Sequence, residues 1–352
     1  MSNLYMGIDV GKKFCWTCVL NEEYECVYFD RLETLNEAAW REMLGLFEGH
    51  EVHAAFEIGA HYEWMFDLLN EYCVKVEVVN TERFVLISKS QKKTDKVDAE
   101  KLAEGMWRGD LPLVYVPEKW VRKDRRLVAP IHALTQSLTS VKARIRNMLY
   151  TARLECPQTD LLGSGAQAWL KTHALPALDE QDHVLLAQLM AQMNLLEEQH
   201  QALEKLVAER VKAYAETELA QSIPGFGKLV TLAMLSAIAK IGRFATPDEL
   251  SSYFGLCGKV DQSGDRLRLG QITKRGNKHV RWLLGQAITH LIKRDPKARR
   301  KYLKLRRKKK AKVARVALMR WVTTVLWRML TNKEKYRLSG VPGCYYNRKK
   351  AA

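Results

Sequence analysis

The sequence predicts an α/β domain built on a mixed sheet, followed by a mostly helical remainder. Short strand-like runs separated by tight turns crowd its first third. Strand–helix–strand alternation follows them. From residue 119 onward the apolar residues recur at helical spacing, and in one stretch at heptad spacing.

Residues 4–9 (LYMGID), 14–20 (FCWTCVL) and 25–31 (ECVYFDR) read as an antiparallel meander of three strands. Thr34 and Glu37 predict a capping box ahead of a helix to residue 47. Residues 51–57 (EVHAAFE) read as a fourth strand, 61–71 as a helix and 75–79 (KVEVV) as a fifth strand. Thr94 is placed to cap a helix over 95–108. Residues 120–154 read as helical and basic, and Gly163, Ser164, Gly165 and Pro176 punctuate a linker. Over 182–216 the apolar positions Leu186, Leu189, Met193, Leu196, Leu203 and Val207, with His200 among them, step alternately by three and four. That is a heptad seam, and it predicts a coiled coil within the chain or between chains. Helices are expected again over 228–239, 247–254, 278–294 and 298–332, with a glycine-rich hairpin over 255–277. The last dozen residues are expected to fray.

The chain has 352 residues and a formal charge of +17. Hydrophobic residues make up 47%, which excludes a wholly disordered chain. The charge is unevenly spread. Residues 21–80 hold 14 acids and 3 bases, net −11, and everything after residue 80 carries +27. A long basic segment of that size points to a polyanion, with nucleic acid ahead of a membrane surface. No apolar run approaches a membrane span and the N-terminus lacks the layout of a signal peptide, so a cytoplasmic protein is expected. Seven scattered cysteines fit reduced thiols, and Cys15 and Cys18 form a lone C-x-x-C in an expected strand.

Asp9 ends the first strand in GIDVGKK, and Glu57 ends the fourth in FEIG. Asp95 and Asp98, three apart at a helix start, share one helix face. Converging carboxylates repel unless cations lie between them, and hard oxygen ligands select Mg²⁺ or Mn²⁺. Each acid taken alone reads first as a solvated surface group, and the helical pair as a dipole-favoured first turn.

The C-terminal part adds three features. Ile223-Pro224-Gly225-Phe226-Gly227 ahead of a helix resembles a helix-hairpin-helix element, where glycines let backbone N–H groups reach a phosphate; it reads equally as a Pro-Gly turn. Ser263-Gly264-Asp265 reads as a turn flanked by Arg266, Arg268, Lys274, Arg275, Lys278 and Arg281. Such a cluster suits a scissile phosphate beside a serine nucleophile. Ser251 and Ser252 are alternatives outside that basic loop. Between Lys293 and Lys312 lie 13 bases and one acid, Asp295, which read as a helix along a phosphate backbone or as a solvated block.

Asp9, Glu57, Asp95 and Asp98 in this order, then IPGFG, then QSG, ITKRGN and VR, resemble the insertion-sequence-110-type DEDD transposases, a family that includes Piv-like invertases. The resemblance spans nearly the whole chain. It implies a RuvC/ribonuclease H-like metal-binding domain over 1–118, a coiled-coil middle over 119–218, a serine-bearing transposase domain over 219–340 and a tail over 341–352. It implies that Asp9, Glu57, Asp95 and Asp98 bind Mg²⁺ and that Ser263 attacks the phosphodiester to give a phosphoserine link. Gly225, Gly227, Arg266, Arg268, Lys274, Arg275, Lys278 and Arg281 would then meet nucleic acid. It further implies a bridge RNA that pairs with donor and target DNA, a tetramer built as a dimer of dimers, and association with a prokaryotic nucleoid. Cys257-Gly258-Lys259 departs from a proline-containing turn of many relatives. Three other readings stand beside a transposase: an invertase of the same family, a RuvC-type nuclease without a covalent intermediate, and a non-catalytic nucleic-acid-binding protein.

Overall fold

The computed structural model describes residues 2–80, 84, 95–263 and 266–337, with the backbone alone for 259–263, 266–269 and 271. It divides into two compact units, Met1–Val116 and Pro117–Ala352. Thr94 and the tail over 341–352 lie outside the described residues.

The first unit is built on a mixed sheet. Its strands are β1 (Asn3–Val10), β2 (Phe14–Leu20), β3 (Cys26–Glu33), β4 (Glu51–Glu57), β5 (Lys75–Val79) and the two-residue β6 (Leu113–Val114). Their spatial order is β3-β2-β1-β4-β5-β6. The meander β1–β2–β3 is antiparallel, as its tight turns predict. β4 lies parallel to β1 and β5 parallel to β4, so both strand–helix–strand steps cross over. Period-two alternation then sorts the side chains by face. Leu4, Met6, Ile8, Val52, Ala54 and Phe56 join a core with Trp40 and Met43 of α1 (Glu37–Gly45) and Met65 and Leu69 of α2 (Tyr62–Leu69). The opposite face, with Cys18, Leu20 and Ala55, packs on Ala99, Leu102, Ala103 and Met106 of α3 (Asp95–Arg108).

The capping box at Thr34 does not form. Thr34 is buried and its hydroxyl donates to the Gly11 carbonyl (3.0 Å), tying the β1–β2 turn to the end of β3. Asn36 caps α1 instead, its Oδ1 accepting from the Ala39 amide (3.2 Å).

In the second unit, α4 (Lys119–Arg126) leads into α5 (Val128–Thr151). Short α6 (Ser164–Trp169) and α7 (Leu175–Ala177) flank a π turn, and the long α8 (Glu180–Arg210) returns. Leu186, Leu189 and Met193 of the heptad seam share a core with Leu138, Val141, Ile145 and Leu149 of α5. The seam is therefore filled from within the chain. His200 sits in it as a polar step, its Nε2 3.3 Å from the Thr135 hydroxyl on α5. Below that, Val207 joins Val128, Ile131 and the C-terminal helices in a further core. Buried Asp124 locks this junction: it accepts from Arg210 Nε (2.7 Å) and from the Tyr214 hydroxyl (3.0 Å).

The C-terminal helices are α9 (Thr217–Gln221), α10 (Lys228–Ile238), α11 (Pro247–Tyr253), α12 (Lys278–Arg294), α13 (Pro296–Arg306) and α14 (Ala311–Asn332), with the β7 (Gly258–Ser263) and β8 (Arg266–Ile272) hairpin between α11 and α12. From Val230 to its last residue, α10 is buried all round, so it forms the centre of this part. The single helix expected over 298–332 is instead two. The run Arg306–Lys310 places five cations together, favourable at the C-terminus of α13 and repulsive inside a helix.

Candidate active site

Asp9 lies on the α3 face of the sheet. Tyr5 and Gly7 precede it at alternate positions, and a Cβ on Gly7 would overlap the Ala99 carbonyl and the Ala103 amide nitrogen of α3. The β1–β4 register runs to Ile8 opposite Phe56, which sets Asp9 beside Glu57 one residue further on. Asp9 pairs across β1–β2 with Trp16, and Trp16 pairs across β2–β3 with Arg31. Directly opposed residues point to one face, so Glu57, Asp9, Trp16 and Arg31 form a single row across four strands.

The direction of α3 brings its acids to the same end. Its C-terminal Trp107 donates its indole N–H to the Glu22 carbonyl (3.2 Å), and Glu22 in turn accepts the Asn3 amide (2.9 Å) at the start of β1. At the opposite end, Lys96 Nζ lies 4.7 Å from the Trp16 ring. The first turn of α3, with exposed Asp95 and buried Asp98, is thus over the end of β1 that carries Asp9. The fold supplies two acidic pairs on one face, Asp9 with Glu57 and Asp95 with Asp98. As a donor set, four carboxylates fit a hard divalent cation. Among the described residues, no three His, Cys, Asp or Glu side chains are grouped closely enough to hold one ion. Cys15 and Cys18 offer no alternative, since they belong to cores on opposite faces of the sheet.

Ser263 ends β7, and its register partner Arg266 begins β8. The serine therefore stands at the hairpin tip. Its side chain, those of Arg266 and Arg268, and all of Gly264 and Asp265 lie outside the described residues. The base of the hairpin is tightly held. A Cβ on Gly276 would overlap the Tyr253 carbonyl, and a Cβ on Gly255, at φ +68°, would meet the Gly276 amide nitrogen at 2.9 Å. Thr273 N donates to Cys257 O (2.9 Å) across the same base. Lys274, Arg275 and Lys278 are exposed there. Arg281 is partly buried, and its Nη1 donates to the carbonyls of Phe254 and Gly276. Ser251 is fully buried in α11, which removes it as an accessible nucleophile.

Gly225 has φ +94°, and a Cβ there would meet the Ala287 carbonyl of α12 at 2.5 Å. Its glycine character is thus required by helix packing. Gly225 and Gly227 also line a cleft of about 660 Å³ with Lys205, Lys228 and His290. Two histidines escape a reading of sequence because they are 147 residues apart: His132 Nδ1 lies 2.8 Å from His279 Nδ1, beside the hairpin base. The Trp282 indole stacks on His132 with centroids 3.9 Å apart. Burial lowers both histidine pKa values, and the charge of Lys278 adds to that. Trp16, Arg31 and Lys96 also escape it; the strand offset set by the β1–β2 turn is the signal that locates the first two.

Two family models match the chain. Residues 6–153 match a family model described as Transposase, of DEDD and IS110 type. Residues 217–303 match the Transposase IS116/IS110/IS902 family. The first match contains all four acids and the second contains Ser263. The chain is similar to the transposase for insertion sequence element IS1111A of Coxiella burnetii (strain RSA 493 / Nine Mile phase I), 24% identical over 346 residues, 94% of this chain and 91% of that one. It is also similar to a Pseudomonas aeruginosa PAO1 protein named "Probable family 20 transposase", 25% identical over 259 residues, 70% of this chain and 74% of that one. Among the described residues, no helix is long and apolar enough to cross a membrane.

Proposed function

The chain belongs to the IS110-type transposases, and on that premise we propose that it cuts and rejoins the DNA of an insertion sequence through Ser263 and the carboxylates Asp9, Glu57, Asp95 and Asp98. The observation that carries this reading is the side-by-side placement of Asp9 and Glu57 under the acidic first turn of α3. Such a set repels a phosphodiester when bare. Asp9, Glu57, Asp95 and Asp98 would hold Mg²⁺ or Mn²⁺, which when bound supplies Lewis-acid polarisation of the phosphate.

A serine hydroxyl is a weak nucleophile at its ordinary pKa. In the proposed step Ser263 Oγ attacks phosphorus. One P–O bond forms, the P–O bond to one nucleotide breaks, and that nucleotide's oxygen leaves with the hydroxyl proton. The protein remains joined to DNA as a phosphoserine ester, and attack by a second nucleotide hydroxyl reverses the link. Arg266, Arg268, Lys274, Arg275 and Lys278 neutralise the charge that develops on the phosphoryl oxygens. Arg281 supports this loop through the two carbonyls it binds. We assign target choice to a bridge RNA, with base pairing supplying sequence and the protein reading shape and charge. The active assembly in this reading is a tetramer.

The test is a denaturing gel. Full-length protein, Mg²⁺ and the RNA transcribed beside the element are mixed with labelled element-junction DNA. Wild type is expected to give a covalent protein–DNA band that Ser263→Ala does not. Cleavage by Ser263→Ala at the wild-type rate, with no covalent band from either protein, would replace a serine recombinase by a plain RuvC-type nuclease.

A further inference from the structure

The row that holds the two strand acids continues into a shelf of aromatic rings and cations. Phe14 opens β2 and is 45% exposed. Arg31 places its guanidinium 4.5 Å from the Phe14 ring centroid and 6.0 Å from that of Trp16. Lys96 of α3 lies 4.7 Å from the Trp16 ring and 5.7 Å from that of Phe29, and the Trp16 and Phe29 centroids are 5.5 Å apart. Both cations are exposed, and among the described residues neither forms an ion pair with a carboxylate. For Arg31 this is unusual, since residues 21–80 hold 14 acids and 3 bases. A cation resting on a ring face keeps its charge available to a second, anionic partner.

Position gives the shelf a use. It begins one strand from Asp9 and two from Glu57, on the same face. A phosphodiester entering an acidic row needs positive charge on its flanking phosphates. A nucleotide unstacked for reaction needs a flat partner for its base. Exposed Phe14, with the Arg31 guanidinium 4.5 Å from its ring centroid, offers that partner.

We propose that Phe14, Trp16, Arg31 and Lys96 form a binding subsite for a single DNA strand, holding the nucleotides that flank the phosphate presented to Asp9 and Glu57. Arg31 and Lys96 take the phosphates, and the Phe14–Arg31 stack takes a base. This subsite rests on the acidic face being where DNA is processed, as proposed above.

Photocrosslinking tests it on the full chain. A labelled single DNA strand spanning the element junction carries 5-iodouracil on either side of the junction phosphate. After irradiation, crosslinked peptides are mapped by mass spectrometry. Wild type is expected to crosslink at Phe14 or Trp16. The double variant Arg31→Gln, Lys96→Gln is expected to lose about fivefold in that yield per phosphate contact at about 0.1 M salt, from a slope of about 0.7 per neutralised phosphate on a single strand. Both residues are on the surface, so folding is expected to survive, and circular dichroism checks it. Crosslinks confined to residues beyond 116, or crosslinking of the RNA but not the DNA at Phe14 and Trp16, would overturn the subsite. Asp9→Asn separates the two readings. It is expected to keep the crosslink and abolish cleavage, and full cleavage by Asp9→Asn would remove the function reading while the crosslink map still decides the subsite.

Discussion

Gly7 decides how close the acidic turn of α3 comes to Asp9. A Cβ there would overlap two backbone atoms of the helix, which have no rotamer to move into. Gly7→Ala must therefore lift α3 from the sheet or distort β1. Overpacking of this kind costs about 1–3 kcal/mol. Urea unfolding of the full chain is expected to show a lower midpoint, and cleavage of junction DNA is expected to fall because Asp95 and Asp98 move with the helix. Wild-type stability and cleavage in Gly7→Ala would show that the close approach places nothing. Asp9 and Glu57 are legible in the sequence because each ends an alternating apolar run. The role of Gly7 is not, since a strand pattern does not say which face a distant helix covers. Thr34 misleads for a related reason: its spacing to Glu37 suits a cap, but its hydroxyl is used by Gly11, 23 residues away.

Among the elements, α5 shows how much of a helix is set by its partners. Its apolar residues and the seam of α8 are legible as helical, and the heptad steps of α8 require a partner. That the partner is α5 of the same chain depends on the connection through α6 and α7, which periodicity does not encode. The packing of α5 on α12 is equally non-local and carries the histidine pair. Two imidazoles 2.8 Å apart through Nδ1 share one proton, so one must remain neutral to accept. Burial and the Lys278 charge act in the same direction, and both folded pKa values lie below the unfolded histidine value. The unfolded chain then binds more protons, so stability rises with pH. The contribution is present above the unfolded value of about 6.5 and is lost as pH falls through the lower folded values. Thermal unfolding midpoints are expected to drop as pH falls below about 6.5, and to drop less in His279→Gln, where no second imidazole can charge. Equal pH dependence in the variant and wild type would show that the pair does not couple folding to protonation.

At the scale of the whole molecule, charge is divided by task. The stretch 21–80, net −11, belongs to the unit with the carboxylate row, where the cation shelf of Arg31 and Lys96 is a local exception. The positive charge lies later, and α13 with its flanks concentrates it. All 13 bases between Lys293 and Lys312 are exposed. Buried Ala298 and the partly buried Tyr302 and Leu305 anchor the helix at steps of four and three. Buried Asp295 fixes its start, accepting from the Lys297 amide (2.7 Å) and from the hydroxyl of Tyr336. A helix held on one side and cationic on all others presents charge in a fixed place, which a solvated tail would not. Affinity drawn from it must appear as counterion release. For duplex DNA, each phosphate that the protein ceases to neutralise takes about 0.9 from the slope of log affinity against log salt. Replacing Lys304, Arg306, Arg307 and Lys308 by Gln is then expected to flatten that slope by up to about 3.5, alike for junction and unrelated DNA, because phosphates carry no sequence. Fluorescence anisotropy over a salt series measures it. An unchanged slope would mean that the exposed cations of α13 face only solvent, and that the rest of the +27 segment holds the nucleic acid.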